Sequence, residues 1–344
     1  MPSRACSIMV TSRRLGRSAT ACVDTGAAAD RCGGGPVRRR TGAAAGRACN
    51  AGGFAMKVGL IPVNIGVKSV DRMVGLAVHA EKVGFESVWT FEHVMVPVDY
   101  ASKYPYSADG KMGATPETNF VDPLIALTAV AASTKRVRLG TGVNILPQTN
   151  PLYLAKQAAS LDFVSNGRLM LGLGVGWLQE EFAALGVPFE RRGARADDYL
   201  AAMRKVWSGE VVEHDSEFLS WHGFKSFPVP VQNPLPIVIG GSKGKAFERV
   251  ARFADGWYAP TATIDQLAAL LPKLDAACRT VGRDRKTIEI SAMWVPAMEG
   301  PDVVERYAEL GVSRLLVPLP ALAMGGDPIE GMTKFGEETL AKLG

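Results

Sequence analysis

From residue 56 onward the chain alternates between short runs rich in β-branched and aromatic residues and longer stretches with an apolar position every three or four residues. The short runs at 57–62, 86–91, 136–143, 168–175, 236–240, 255–259, 287–293 and 313–318 predict eight strands. Helical periodicity follows each of them, at about 69–84, 122–133, 151–164, 195–207, 243–253, 264–279, 301–310 and 328–342. The fourth run is apolar at nearly every position, as a strand covered on both faces should be. Strand and helix in strict alternation predict a single α/β domain over 56–344, a closed parallel (β/α)8 barrel of the TIM type.

Local chemistry marks several boundaries. Ser69 is a ready N-cap and Gly84 a stop for the first helix. Asp122-Pro123 and Asn150-Pro151 each place a capping residue before a proline at the first helical position, and Asn166-Gly167 ends the helix that Asn150 opens. Two connections are too long for turns. Residues 92–121, with Tyr100, Tyr104, Tyr106 and Gly113, follow the second strand and predict a lid over the barrel's catalytic face. Residues 209–234 predict a small hairpin around His222-Gly223, nearer the opposite face.

Composition separates the first 55 residues from the rest. They hold nine Arg, no Lys and two acids, a net of +7, whereas the whole chain is +5 and residues 56–344 are therefore at −2. The basicity belongs to this leader, which is predicted to be disordered or misassigned, with Met56 abutting the first strand. Without it there is no electrostatic case for a nucleic-acid partner. No run of about 18 apolar residues supports a membrane span. Cys6, Cys22, Cys32 and Cys49 lie in the leader at irregular spacing, and only Cys278 lies in the body. That usage argues against a disulfide framework or zinc site and for a reducing, cytoplasmic setting.

Candidate chemistry collects at predicted strand ends. Glu92-His93 closes the second strand, where an imidazole can exchange a proton with a bound molecule. His79, His214 and His222 lie in a helix or the hairpin. Gly140-Thr141-Gly142-Val143-Asn144 closes the third strand; its glycines let backbone approach a flat ligand, or merely soften a strand end. Gly172-Leu173-Gly174-Val175-Gly176-Trp177 closes the fourth with a GxGxG spacing that does not meet the dinucleotide fingerprint. These glycines make room for a ring system beside Trp177, or only for close barrel packing. Gly240-Gly241-Ser242-Lys243-Gly244-Lys245 joins the fifth strand to a helix and reads as a phosphate loop. Its two lysines, in the first turn, oppose the helix dipole unless an anion is present.

In combination these segments closely resemble the luciferase-like monooxygenases, especially their coenzyme F420-dependent branch. The resemblance runs through Trp89 to His93, Thr141 to Pro147, Ala155 to Gln157, Leu161 to Arg168, Leu171 to Glu181, Ala184 to Pro188, Arg191 to Leu200 and Ile239 to Trp257, in fixed order over about 56–344. It implies a barrel that holds a deazaflavin or flavin ring across its mouth, over a bulge with a non-proline cis peptide at Gly142-Val143. It also implies an acid/base role for His93, with Glu92 as its neighbour in the site, and phosphate binding at Gly240 and Gly241. Thr141, Asn144, Val175, Gly176, Trp177, Ser242, Lys243 and Gly244 complete the implied cofactor site. One departure stands out: some F420-dependent sugar-phosphate dehydrogenases carry Glu where this chain has Trp177, so their acid/base pairing and substrate class do not transfer.

The expected activity is hydride transfer between F420 and a small organic substrate. The alternatives are an FMN-dependent monooxygenase using oxygen, and a silent flavin-binding barrel. A metal- or Schiff-base-dependent barrel lacks a supporting His/Asp cluster or barrel-mouth Lys. Relatives of this kind are often dimers, so a homodimer is one expected assembly.

Overall fold

A computed structural model describes residues 56–261, 263–323 and 326–343. The leader and its four cysteines lie outside the described residues, and Cys278 is buried as a free thiol.

The helix boundaries follow from the caps. Ser69 Oγ accepts from Arg72 N at 3.2 Å to open α1 (Val70–Val83), and Gly84, at φ 103°, closes it with its N–H on Ala80 O. Asp122 accepts from Ile125 N ahead of α2 (Pro123–Ser133). Asn150 accepts from Leu152 N and Tyr153 N ahead of α3 (Pro151–Ser165), and Asn166 ends it in the left-handed conformation.

Eight barrel strands run parallel. They are β1 (Lys57–Ile61), β2 (Ser87–Thr90), β3 (Arg138–Thr141) continued by β4 (Asn144–Ile145), β5 (Leu169–Gly174), β8 (Ile237–Gly240), β9 (Gly256–Ala259), β10 (Glu289–Met293) and β11 (Val312–Pro318). The ladder runs β3-β2-β1-β11-β10-β9-β8-β5, and pairing of β3 with β5 closes it. Parallel neighbours need crossovers, which α1, α2, α3, α5 (Arg192–Val206), α6 (Ala246–Phe253), α7 (Ile264–Thr280) and α9 (Val303–Glu309) supply, while α11 (Pro328–Phe335) follows the last strand. The TIM-type barrel expected from the alternation is therefore the fold.

Four local readings are corrected. The run 136–143 is not continuous: pairing stops at Thr141 and resumes at Asn144. A helix, α4 (Gln179–Ala184), lies in the stretch after the fourth strand that carried no assignment. The expected helix 328–342 is α-helical only to Phe335, then widens into a π-turn over Gly336–Leu340, before α12 (Ala341–Leu343). The hairpin, β6 (Val212–Asp215) and β7 (Ser220–Phe224), turns at 216–219, so His222 lies on a strand. Short helices α8 (Pro296–Glu299) and α10 (Leu319–Ala323) complete the body.

Two apolar layers hold the fold. The larger lies between strands and helices; the smaller fills the barrel and comprises Ile61, Trp89, Met170, Val238 and Leu316. Trp89 is fully buried and donates from Nε1 to Ser87 Oγ at 2.9 Å. A Cβ on Gly140 would lie 2.3 Å from its ring, so the indole itself demands glycine there.

Below this layer an ionic plug closes the barrel. Arg314, fully buried on β11, makes two 2.9 Å bonds to the carboxylate of Glu86 and a longer one, 3.4 Å, to Glu289. Burial alone would raise the pKa of Glu86, but the hydrogen bonds and charge of Arg314 outweigh it and hold the carboxyl below its ordinary range. The plug therefore contributes its stability above the ordinary glutamate value of 4.5 and loses it as pH falls below that. Glu86→Ala should cost about 3–5 kcal/mol at neutral pH in urea melts, because it strands a buried cation. Glu86→Leu combined with Arg314→Met should recover most of that loss; a double variant no better than the single would show that the charge pair is not the reason.

Candidate active site

All parallel strands present their carboxyl ends on one side, and a cavity of about 1190 Å³ opens there. A typical small-ligand site is about 300–1,000 Å³, so there is room for an extended cofactor and a substrate together. The wall includes Phe91, Gly142, Val143, Ile145, the run Gly174–Trp177, the loop Gly240–Ala246, Tyr258 and Met293.

Of the residues singled out in the sequence, Gly142, Val143, Val175, Gly176, Trp177, Gly240, Gly241, Ser242, Lys243 and Gly244 line this cavity. Thr141, Asn144, Glu92 and His93 are not part of its lining. Thr141 Oγ1 donates to Gly172 O at 2.7 Å and accepts from Gly172 N at 2.8 Å. Its side chain thus takes over the ladder where β3 breaks. A Cβ on Gly172 would lie 1.6 Å from Thr141 O, so this glycine serves packing rather than a ligand. Beyond the break the Gly142–Val143 peptide is cis, at the place the resemblance implied. Val143 then fills the space that Cβ atoms on Gly174 and Gly240 would occupy, 2.6 and 3.1 Å from its methyl groups.

Glu92 clamps the far side of the break, accepting from Asn144 Nδ2 at 2.6 Å and from Ile145 N. Burial pushes its carboxyl up to about 7; the two hydrogen bonds offset this only in part, and the negative charges of Asp122 and Glu181 add to it.

His93 lies beside the cavity. Its Nδ1 is 3.1 Å from Glu181 Oε2, and its ring meets the edges of Phe120 and Trp177 at 5.4 and 6.2 Å. Burial works to raise the Glu181 pKa, but hydrogen bonds from His93, Met95 N and Gln148 outweigh it, so the carboxyl stays below its ordinary range and charged. A charged acceptor assigns the proton to Nδ1 and leaves Nε2, which has no partner among the described residues, to face other chemistry.

The lid over 92–121 is irregular but tied down. Asn64, fully buried after β1, bonds Phe91 N, Phe91 O and Val121 O, stapling both stems. Glu181 accepts from Val94 N and Met95 N, and Glu180 from Ala101 N and Ser102 N. Burial opposes ionisation of Glu180, but bonds from Ser102 and Ala101 bring its pKa down to about 2. Tyr100 and Tyr104 pack edge-on to Trp177 at 5.7 and 5.2 Å.

The phosphate-loop reading needs one correction. α6 begins at Ala246, so Lys243 and Lys245 precede the helix rather than occupy its first turn. Gly241 and Gly244, at φ 109° and 57°, bend the chain there. Lys245 caps α6 without a side-chain hydrogen bond and Ala246 N–H donates to Lys243 O at 3.2 Å, which leaves the next amide N–H groups, of Phe247 and Glu248, to another acceptor. Lys103, Arg191, Arg192 and Arg249 also line the cavity, which makes it strongly cationic; its one acid, Asp197, is paired to Arg249. The open φ > 0 backbone and this donor set fit an anionic, phosphate-bearing group. Among the described residues no cluster of three or more His, Cys, Asp or Glu is placed to hold a metal, and no helix is long and apolar enough to cross a membrane.

Sequence reading passed over Asn64, Glu180, Glu181, Arg192, Arg249 and Tyr258. Tyr258 alone carried a signal: strand alternation turns it inward once Trp257 faces α6, and Trp257 does pack on Phe247 at 5.4 Å.

The model of the luciferase-like monooxygenase family matches residues 52–323. An uncharacterised protein of Mycobacterium tuberculosis is 36% identical over 244 residues, 70% of this chain and 84% of that one. The F420-dependent hydroxymycolic acid dehydrogenase of the same organism is 29% identical, over 70% of this chain and 62% of its own. The oxygenase component of a flavin-dependent trigonelline monooxygenase from Acinetobacter baylyi is 31% identical over 48% of this chain and 41% of its own. Among solved structures, an F420-dependent secondary alcohol dehydrogenase shares the fold with a TM-score of 0.66 at 17% identity, covering 82% of this chain and 97% of that one.

The Glu92 clamp makes a pH prediction. With its folded-state pKa raised, Glu92 contributes stability below the ordinary 4.5 and loses it as pH rises through about 7. Glu92→Gln keeps one of the two acceptor oxygens and does not ionise, so it should flatten the fall in melting temperature across neutrality. An unchanged slope in thermal melts would assign that titration to another group.

Proposed function

The chain belongs to the luciferase-like monooxygenase family, and from that premise we propose that it is an oxidoreductase that moves a hydride between coenzyme F420 and a small organic substrate. The observation that carries this reading is the cavity's charge. One phosphate is satisfied by the Gly240–Lys245 loop, yet Lys103 and Arg192 add cations without an ion pair among the described residues to the same wall, beside Arg191 and Arg249, which are paired to Glu217 and Asp197. A cofactor with a longer anionic tail than FMN suits that surplus. The relative named for F420-dependent dehydrogenation supports the same choice, and the flavin-dependent monooxygenase relative keeps FMN as the alternative.

A bound deazaflavin supplies a centre that carries hydride and reacts poorly with oxygen. The chain's own residues do the rest. Val143 and the glycines at 174 and 240 shape the floor, Trp177 and the lid tyrosines exclude water, and the loop before α6 holds phosphate. His93 is the proposed acid/base: Glu181 fixes its Nδ1 proton and leaves Nε2 to give or take one. In this chain the carboxylate partner comes from Glu181, on α4 beyond Trp177, rather than from the Trp177 position itself.

Fluorescence titration of the purified protein should give at least tenfold tighter binding of F420 than of FMN, with the gap narrowing in high salt as the cationic wall is screened. Tighter FMN binding with oxygen uptake by the reduced flavin would establish the monooxygenase alternative instead. For His93→Ala, kcat should fall about 10²- to 10⁴-fold while cofactor affinity changes little. Weak cofactor binding with normal turnover at saturation would make His93 a docking residue.

A further inference from the structure

Three phenols reach the cavity, and only one stands on the barrel. Tyr104 and Tyr106 belong to the lid, their rings 5.4 Å apart, and Tyr106 is half exposed. Tyr258 is fixed in β9, with its backbone in register with Gly240 on one side and Ser291 on the other. In the ladder β9 lies diametrically across the barrel from β2, and the Tyr258 ring leans over the interior to meet Trp89 of β2 at 6.2 Å. A Cβ on Gly142 would sit 3.4 Å from that ring. The phenol therefore lies on the cavity floor, between the apolar plug of the barrel and the break in the third strand.

Its hydroxyl makes no hydrogen bond to any described residue, while its ring is closely packed. Tyr258 is only partly buried, so this hydroxyl opens into the cavity as a donor that a bound molecule can take up. Burial pushes the phenol well above its ordinary range, and the neighbouring Tyr104 and Tyr106 phenols push it the same way. The hydroxyl thus keeps its proton and acts as a donor, not as a phenolate. Met293, Phe91, Val143 and Ile145 give the same cavity apolar wall. A rigid donor among apolar wall residues favours an acceptor atom on an otherwise apolar molecule, and Thr261, whose buried Oγ1 has no partner among the described residues, adds a second hydroxyl to the same cavity.

Accepting the oxidoreductase reading above, we propose that the Tyr258 hydroxyl hydrogen-bonds an oxygen of the substrate, so that the site takes small ketones, aldehydes or enones and orients their carbonyl over the strand break. A donor aimed at that oxygen favours the charge that develops there when the neighbouring carbon accepts a hydride. Tyr104, on the lid, lines the same cavity.

The test uses Tyr258→Phe, which keeps the ring contacts with Trp89 and Gly142 and removes only the hydroxyl. Cyclohex-2-en-1-one labelled with ¹³C at the carbonyl is the probe, followed by NMR on wild type and variant, each with and without F420. Melting temperature and cofactor affinity should not change. Enone affinity should fall roughly five- to tenfold, the effect of one neutral hydrogen bond, and the bound carbonyl resonance should lose the downfield shift that a donor imposes. Equal affinity with an equal carbonyl shift would overturn the assignment, as would failure of the wild type to bind the enone. Failure of the F420 reading is seen separately, in the cofactor titration, because enone binding is measured without turnover.

Discussion

The break in the third barrel strand is the constraint on which the site depends, and one side chain makes it. Thr141 donates to and accepts from the backbone of Gly172, replacing the ladder pairing that the next residues give up. Strand β5 then sits so close that any Cβ on Gly172 would collide with Thr141 O. Released from the sheet, Val143 wedges into the space kept open by Gly174 and Gly240, and Glu92 anchors the chain where it rejoins at Asn144 and Ile145. The glycines at the barrel mouth are thus accounted for largely by the path of β3 itself. A ligand benefits from the shape they leave but is not what requires them.

The same separation of scaffold and ligand runs through the mouth. The lid has no regular structure, yet its backbone is held by three side chains, Asn64 donating to a carbonyl at the stem and Glu180 and Glu181 accepting from amides along its first half. Glu181 also fixes His93, so the orientation of the imidazole and the seating of the lid share one carboxylate. Cations occupy the outer wall, and the floor is apolar with a single phenol. That layout suits the cofactor and substrate proposed above, with the anionic group at the cationic wall and a small neutral molecule at the floor.

Two glutamates near the ends of one strand show how environment sets charge. Glu86, before β2, and Glu92, after it, are both enclosed, and burial favours the neutral form of each. Glu86 faces the Arg314 guanidinium and is held charged. Glu92 receives only neutral donors and two nearby negative charges, and rises to about 7. The first closes the barrel's base. The second tensions the strand break at its mouth, and for it a proton is gained or lost near neutrality.

Alternation of short and long periodic segments, together with caps such as Ser69, Asp122-Pro123 and Asn150-Pro151, determined the barrel and most helix limits from sequence alone. Those signals are local, since a cap or a period is complete within a few residues. The strand ends and the glycine loops were also legible, because glycine and proline report backbone demands directly. What only the tertiary structure decided were the relations between distant segments. Arg314 with Glu86, Asn64 with Phe91 and Val121, His93 with Glu181, and Trp89 with Tyr258 join residues whose separation in sequence carries no pattern. The break at Thr141 belongs with them: its run reads as a continuous strand until Gly172, on a neighbouring strand, supplies the partner that lets the chain leave the sheet.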